Sequence, residues 1–311
     1  MSGKSVGYKS IFPSCYTYLM SFNEKYSKIC SLVKSDISKL EEKLTGSINL
    51  SPSIDEVLRI FLTKNSKRIR PVVSFLYLRA CGITPDEKQY AFQTVIEIIH
   101  NASLIHDDVI DESDLRRGNL SLNKKFNNKT AILTGDYLLS AALRILNCLD
   151  TPETISLCVE TLEGMCQGEV NQYFNKFKIP TLEQYLKKTE QKTAKLFQTA
   201  LKGSMLLAGI TDLNKAEKFS HALGMAFQIR DDILNLTRRD SLKPSQNDID
   251  EGIYNAPVIF AGTTSNLNEG IAKTMTLLNN YVNEASDALN KLEESSYKLA
   301  LEELLGILKD V

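Results

Sequence analysis

The chain has 311 residues, 43% of them hydrophobic and 24% charged, with a formal net charge of −1. Those proportions belong to a folding globular protein and exclude a disordered one. The near-zero charge gives no general attraction for nucleic acid, whose binders carry strongly basic surfaces. The six cysteines, Cys15, Cys30, Cys81, Cys148, Cys158 and Cys166, form no C-x-x-C pair and have no matching histidine spacing for zinc. They read as reduced packing residues of a cytoplasmic protein. Residues 1–14 lack the basic-then-apolar order of a signal peptide, and no run of about 18 apolar residues suggests a spanning helix.

Fifteen glycines and eight prolines are few, and between them apolar residues recur at three-and-four spacing, so the predicted elements are helices throughout. In chain order, the basic run Lys67-Arg68-Ile69-Arg70-Pro71 comes first, within an otherwise apolar region. Arginine forks there suit phosphate oxygens. After a turn at Gly82-Ile83-Thr84-Pro85, the residues Phe92, Val95, Ile96, Ile99 and Leu104 predict a helix leading into Asp107-Asp108-Val109-Ile110-Asp111. Residues four apart on a helix lie about 40° apart around the axis, so Asp107 and Asp111 share a face. Three carboxylates within about one turn repel each other, and a cation resolves the conflict. Mg²⁺ prefers carboxylate, water and phosphate oxygens, so an open acidic ledge suits a Mg²⁺-bridged diphosphate.

Arg116-Arg117-Gly118 opens a polar run to Asn128, predicted as a break. The nearly all-apolar stretch Ala131 to Leu149 predicts a helix buried at the centre of one large bundle. Breaks follow at Asp150-Thr151-Pro152 and from Phe177 to Thr181, and Leu186, Leu196, Leu201 and Leu206 mark further helix. The second acidic motif, Asp231-Asp232-Ile233-Leu234-Asn235, precedes a polar loop from Arg238 to Asn255. No flexible linker or fixed-period repeat interrupts the chain, and residues 1–311 read as one domain. Each charged cluster alone also fits a solvated helix face. The recurrence of an acidic motif after a second apolar run argues against that for the pair.

Together with Ile99-His100-Asn101-Ala102-Ser103-Leu104-Ile105-His106 before the first motif, and with Gly135-Asp136-Tyr137-Leu138-Leu139, Gly168-Glu169, Lys192-Thr193-Ala194 and Phe227-Gln228-Ile229-Arg230 later, these pieces resemble a trans-isoprenyl diphosphate synthase over residues of about 60 to 300. The resemblance implies an all-α bundle of antiparallel helices around a central substrate cavity. It implies a prenyltransferase in which an allylic diphosphate ionises, isopentenyl diphosphate attacks the cation, and the departing pyrophosphate takes the proton. Carried over by position, Asp107, Asp111 and Asp231 would ligate Mg²⁺. Arg116, Lys192 and Lys243 would contact the allylic diphosphate, and Lys67, Arg70, His100 and Arg117 the isopentenyl diphosphate. Thr193 and Gln228 would face the developing cation. His106 and His221 read as packing residues. The small Ala102 and Ser103, five and four residues before Asp107, resemble the open floor of long-chain synthases. A homodimer is implied, and an apolar product implies transient membrane contact at release.

The chain departs from the family's pattern at several positions. Asn65-Ser66 stands where a glycine pair is usual, Asn235 replaces the last aspartate of the second motif, and Ile253 and Asn255 stand where a lysine and a threonine are usual. These departures keep open a catalytically weak or silent prenyl-diphosphate-binding subunit of a heteromeric synthase. A terpene cyclase fits less well, because it has no use for Lys67, Arg70 and His100.

Overall fold

The computed structural model describes the backbone of residues 15–237 and 247–311, with side chains from 22 and from 248 onward in those two stretches. Lys243 lies outside the described residues. The helices are α1 (Cys15–Ser31), α2 (Lys34–Gly46), α3 (Pro52–Thr63), α4 (Ile69–Ala80), α5 (Glu87–Ile110), the short α6 (Leu122–Lys125), α7 (Asn128–Leu149) and α8 (Pro152–Phe174). After them come α9 (Leu182–Thr189), a π-helical turn (Glu190–Ala194), α10 (Lys195–Leu207), α11 (Asn214–Thr237), α12 (Asn247–Asp250), α13 (Ala256–Ala261), α14 (Asn268–Leu289) and α15 (Ser296–Lys309). The all-α expectation holds, and the breaks have physical causes. A capping box between Asp86 and Gln89 starts α5, another between Thr181 and Gln184 starts α9, and Pro152 occupies the first turn of α8.

The polar run after Arg116 is not a simple break. It contains an antiparallel hairpin, β1 (Leu115–Arg116) with β2 (Asn119–Leu120), followed by α6. Arg117 and Gly118 take φ of 52° and 77°, the left-handed pair that a tight two-residue hairpin turn requires. Asn65 also takes a positive φ, 54°, and its carboxamide donates to the Arg117 carbonyl at 3.2 Å. Asparagine tolerates that conformation better than most residues, so Asn65, standing where a glycine is usual, pins the hairpin from the neighbouring loop.

The core forms two clusters. Phe75 and Tyr77 of α4, Phe219 of α11, Leu289 of α14 and Leu301 of α15 belong to one. Leu44 of α2, Leu58 of α3, Phe92 and Ile96 of α5 and Leu138 of α7 belong to the other. Helix α10 lies between them, giving Phe197 and Leu201 to the first and Leu196 and Ala200 to the second. It packs on α5 so closely at Gly203 that a Cβ there would stand 2.2 Å from the Phe92 ring. Gln93 fixes the register of the two helices, donating to Ala200 O and Ser204 Oγ, both at 2.8 Å.

Two expectations need correction. Helix α7 is not central: Ala131, Leu138 and Ala142 pack inward, but Ile132, Leu133 and Leu143 are exposed, Leu133 at 58%. It is long and apolar enough to cross a membrane by composition alone, yet one face packs against α5. Nor are all the cysteines packing residues. Cys158 is buried, but Cys148 and Cys166 are exposed free thiols, because their positions fall on outward faces of α7 and α8.

The strongest tie between α4 and α5 is ionic. Arg68, at φ 52°, donates Nη1 to Glu97 at 2.6 Å and Nη2 to the Leu62 carbonyl at 2.6 Å, and both side chains of the ion pair are only 2% exposed. Removing one member of such a pair leaves a buried charge uncompensated. Arg68→Met is expected to cost about 3–5 kcal/mol of stability in denaturant titrations, and adding Glu97→Gln should recover part of it. An unchanged midpoint for the single variant would contradict the assignment.

Candidate functional site

The last turn of α5 presents the first acidic motif in two directions. Asp108 points inward and is 1% exposed, accepting Arg116 Nε at 2.8 Å and also Arg116 Nη2. Its other carboxylate oxygen has no hydrogen-bond partner. Asp107 is half-buried and Asp111 more open to solvent with its carboxyl still partly covered, and the Asp111 amide closes the turn on the Asp107 carbonyl at 2.8 Å. Burial, helped by Glu169 and Asp111 and opposed by Lys192, pushes the Asp107 carboxyl up to about 7. Asp111 is raised by burial and then by Glu169. A ledge of carboxylates raised by burial and then by one another fits a divalent cation, because the cation offsets both.

Glu169 of α8 and Lys192 of the π-turn are in direct contact beside that ledge. Gly168 permits the approach, since a Cβ there would stand 2.9 Å from Lys192 Cγ. The extra residue in the π-turn, a device often found at functional sites, places Lys192 toward α8 and Thr193 toward α11. Glu251, after α12, is raised by burial and then by Asp111, with Lys176 opposing. Among the described residues, no three His, Cys, Asp or Glu side chains form a ready metal cage. The donor set is an open wall.

Two turns back along α5, the charge reverses. His100 is half-buried and its imidazole is held well below its ordinary value by burial, then by Arg70, Arg117, Arg116 and Arg68. Arg70 lies 4.7 Å from the Phe197 ring centroid with its Nε unpartnered. Burial lowers it to about 10, with Glu97 opposing. Arg117 Nη1 donates to Phe61 O at 3.2 Å and Asn101 Oδ1 at 3.3 Å. Lys67, on the loop before α4, holds its Nζ 4.5 Å from the Phe22 ring centroid. Three of the four positions expected around one diphosphate, Arg70, His100 and Arg117, therefore share a cationic neighbourhood, while Lys67 sits against the Phe22 ring. Arg116 differs from expectation in that its guanidinium is bound to Asp108, between the basic pocket and the acidic ledge.

The second motif is wired to the π-turn. Asp232 is buried and accepts Tyr185 Oη at 2.7 Å and Gln228 Nε2 at 2.9 Å, while Thr193 Oγ1 donates to Gln228 Oε1 at 2.7 Å. Thr193 and Gln228 are thus brought together. Burial, opposed by Lys188, raises Asp232 to about 6. Asp231 and Asn235 lie on the exposed side of α11. Lys188 is half-buried and feels Asp232, Lys192, Asp248 and Glu169. Lys192 and Glu169 thus act both on the Asp107 ledge and on Lys188, which in turn acts on Asp232. Glu169, Lys188 and Glu251 were missed as site residues by sequence reading. Only the Gly168-Glu169 pair carried a local signal.

Ala102 is fully buried in the core between α5 and α7, whereas Ser103 is half-buried and donates to His100 O at 2.9 Å. His106 approaches Ile132 O at 3.3 Å, and His221 stacks edge-on against Tyr281. Both act in packing.

A family model described as polyprenyl synthetase matches residues 51–296. The chain is 33% identical over 254 residues to the heptaprenyl diphosphate synthase component 2 of Geobacillus stearothermophilus, covering 80% of this chain and 79% of that protein. It is 30% identical over 315 residues to the decaprenyl-diphosphate synthase of Dictyostelium discoideum, covering 87% and 69%. In three dimensions it is similar to the heptaprenyl diphosphate synthase of Staphylococcus aureus, with a TM-score of 0.83, 26% identity, and 89% and 98% of the two chains covered.

The raised Asp107 has a consequence for stability. Its folded carboxyl holds a proton up to about 7 rather than the ordinary 3.8, so the site favours folding below the ordinary value and loses that contribution as pH rises through about 7. In metal-free buffer, the thermal midpoint of the parent should fall across this range more than that of Asp107→Asn. Parallel pH profiles for the two proteins would contradict it.

Proposed function

The chain belongs to the polyprenyl synthetase family, and on that premise we propose that the acidic ledge and the arginine pocket of α5 bind the two diphosphates of one condensation. The chain is a trans-prenyltransferase, a polyprenyl diphosphate synthase that joins isopentenyl diphosphate to an allylic diphosphate. The observation that supports the site reading best is the reversal of charge along one helix. His100 lies among arginines, and seven residues on, Asp107 lies among carboxylates. At about 1.5 Å per residue that is about 10 Å, room for two diphosphates side by side.

In this reading Asp107, Asp111 and Asp231 hold Mg²⁺ against the allylic diphosphate, with Arg116, Lys192 and Lys243 on its remaining oxygens. Bound Mg²⁺ would stabilise the charge that develops on the leaving diphosphate. Lys67, Arg70, His100 and Arg117 hold the isopentenyl diphosphate, and a bound anion reduces the repulsion among them. Thr193 offers its hydroxyl lone pairs to the allylic cation, with Gln228 and Asp232 fixing its rotamer. The α7 face with Ile132, Leu133 and Leu143 fits a second copy of the chain, because a large exposed apolar patch rimmed by polar residues suits a subunit interface. The protein is read as a cytoplasmic enzyme that touches a membrane to release an apolar product.

The test is to incubate the purified chain with MgCl₂, labelled isopentenyl diphosphate and separate allylic primers, and to size the products. All-trans polyprenyl diphosphates should form and vanish with EDTA. No elongation by the chain alone, with activity restored by a second subunit, would favour the heteromeric reading that the component 2 name of the Geobacillus relative suggests. Asp107→Ala should lower kcat on the order of 10²-fold or more. Ser103→Phe should shorten the products, and unchanged length would place the stop elsewhere. Leu133→Glu should shift the chain to a monomer in light scattering.

A further inference from the structure

We propose that Lys188 supplies the cation of the second acidic wall, at the allylic diphosphate, in place of the lysine that the chain lacks at position 253. The proposal rests on the site reading above. Lys188 stands in the last turn of α9, four residues before Lys192. Its Nζ donates to Asn255 Oδ1 at 2.9 Å, and Asn255 Nδ2 donates to Asp248 Oδ2 at 2.9 Å. The ammonium also lies 5.5 Å from the Tyr185 ring centroid, and Tyr185 bonds Asp232 at 2.7 Å. Carboxylates from three separate elements therefore act on it: Asp232 of α11, Asp248 of α12 and Glu169 of α8.

Glu169 and Lys192 are the same groups that act on Asp107 and Asp111, so Lys188 shares its charged neighbours with the ledge. Ile253 brings no charge, and its backbone amide donates to Asp248 O at 2.6 Å. Asn255 brings a carbonyl oxygen, and that oxygen anchors Lys188. The two departures from the family's pattern thus have one reading: the cation enters from α9, and Asn255 holds it. An ammonium has three N–H donors. Among the described residues, Asn255 is the only hydrogen-bond acceptor for Lys188, which leaves two donors for diphosphate oxygens. A tie serving stability alone would not need its ammonium among the site's carboxylates.

The experiment compares the full chain with Lys188→Met, measuring KM for the allylic diphosphate, KM for isopentenyl diphosphate, inhibition by inorganic pyrophosphate, and thermal midpoint. Loss of a charged hydrogen bond predicts about a tenfold rise in allylic KM and in the pyrophosphate concentration needed for half inhibition. KM for isopentenyl diphosphate should stay within about twofold, since the arginine pocket is untouched. Introducing Ile253→Lys into Lys188→Met should return much of the pyrophosphate inhibition. Parental allylic KM and pyrophosphate inhibition in Lys188→Met would overturn the proposal, as would equal losses for both substrates tracking a lowered thermal midpoint. Asp107→Asn serves as the control. If it too leaves pyrophosphate inhibition unchanged, the site reading itself fails, whereas an impaired Asp107→Asn beside an unaffected Lys188→Met removes the Lys188 role alone.

Discussion

Charge on a buried helix must be compensated from outside it, and α5 carries more charge than any neighbour could ignore. Glu97, Asp108 and Asp107 follow one another along it, and each recruits a partner from a different element. Glu97 takes Arg68 from the start of α4, Asp108 takes Arg116 from the hairpin, and Asp107 is opposed by Lys192 from the π-turn. The placement of α4, the hairpin and the π-turn follows from these demands. Apolar packing supplies the bulk of the stability, but it does not by itself distinguish one rotation of α5 from another. The ion pairs do.

The two ends of the site differ in how compensation is balanced. Around His100, the four guanidinium groups of Arg68, Arg70, Arg116 and Arg117 outnumber the carboxylates that face them, Glu97, Glu41 and Asp108, so positive charge remains and an anion is favoured. Around the ledge, the four carboxylates of Asp107, Asp111, Glu169 and Glu251 exceed what Lys192, Lys176 and Arg116 neutralise, so a cation is favoured. In the proposed function, a diphosphate alone is therefore assigned to the first and a metal-bridged diphosphate to the second. Burial matters more than proximity here, being the largest cause of the shifts at Asp107, Asp111, His100 and Asp232. Low local polarity makes each unbalanced charge count.

Much of this was legible in the sequence. The helical period located α5, α10 and α11, and the order of charged pieces carried the family resemblance. Periodicity shows that a residue is apolar, not what covers it, so α7 looked central although Leu133 and Leu143 face outward. The hairpin was illegible because it depends on the left-handed backbone of Arg117, a residue with no strong preference for it. Lys188 and Asn255 are 67 residues apart, and only the fold reveals their contact. Asn65 shows the reverse. Standing where a glycine pair is usual, it counts toward a catalytically weak subunit, yet it takes a left-handed conformation and bonds Arg117 O.

The central claim is that both acidic motifs serve one diphosphate, and a crystal structure with Mg²⁺ and an allylic diphosphate analogue tests it most directly. The account predicts Mg²⁺ ions bridging the diphosphate to Asp107 and Asp111 on one wall and Asp231 on the other, at metal–oxygen distances of about 2.1 Å. A diphosphate held by one motif alone, with the Asp231 carboxylate turned to a separate surface, would contradict it.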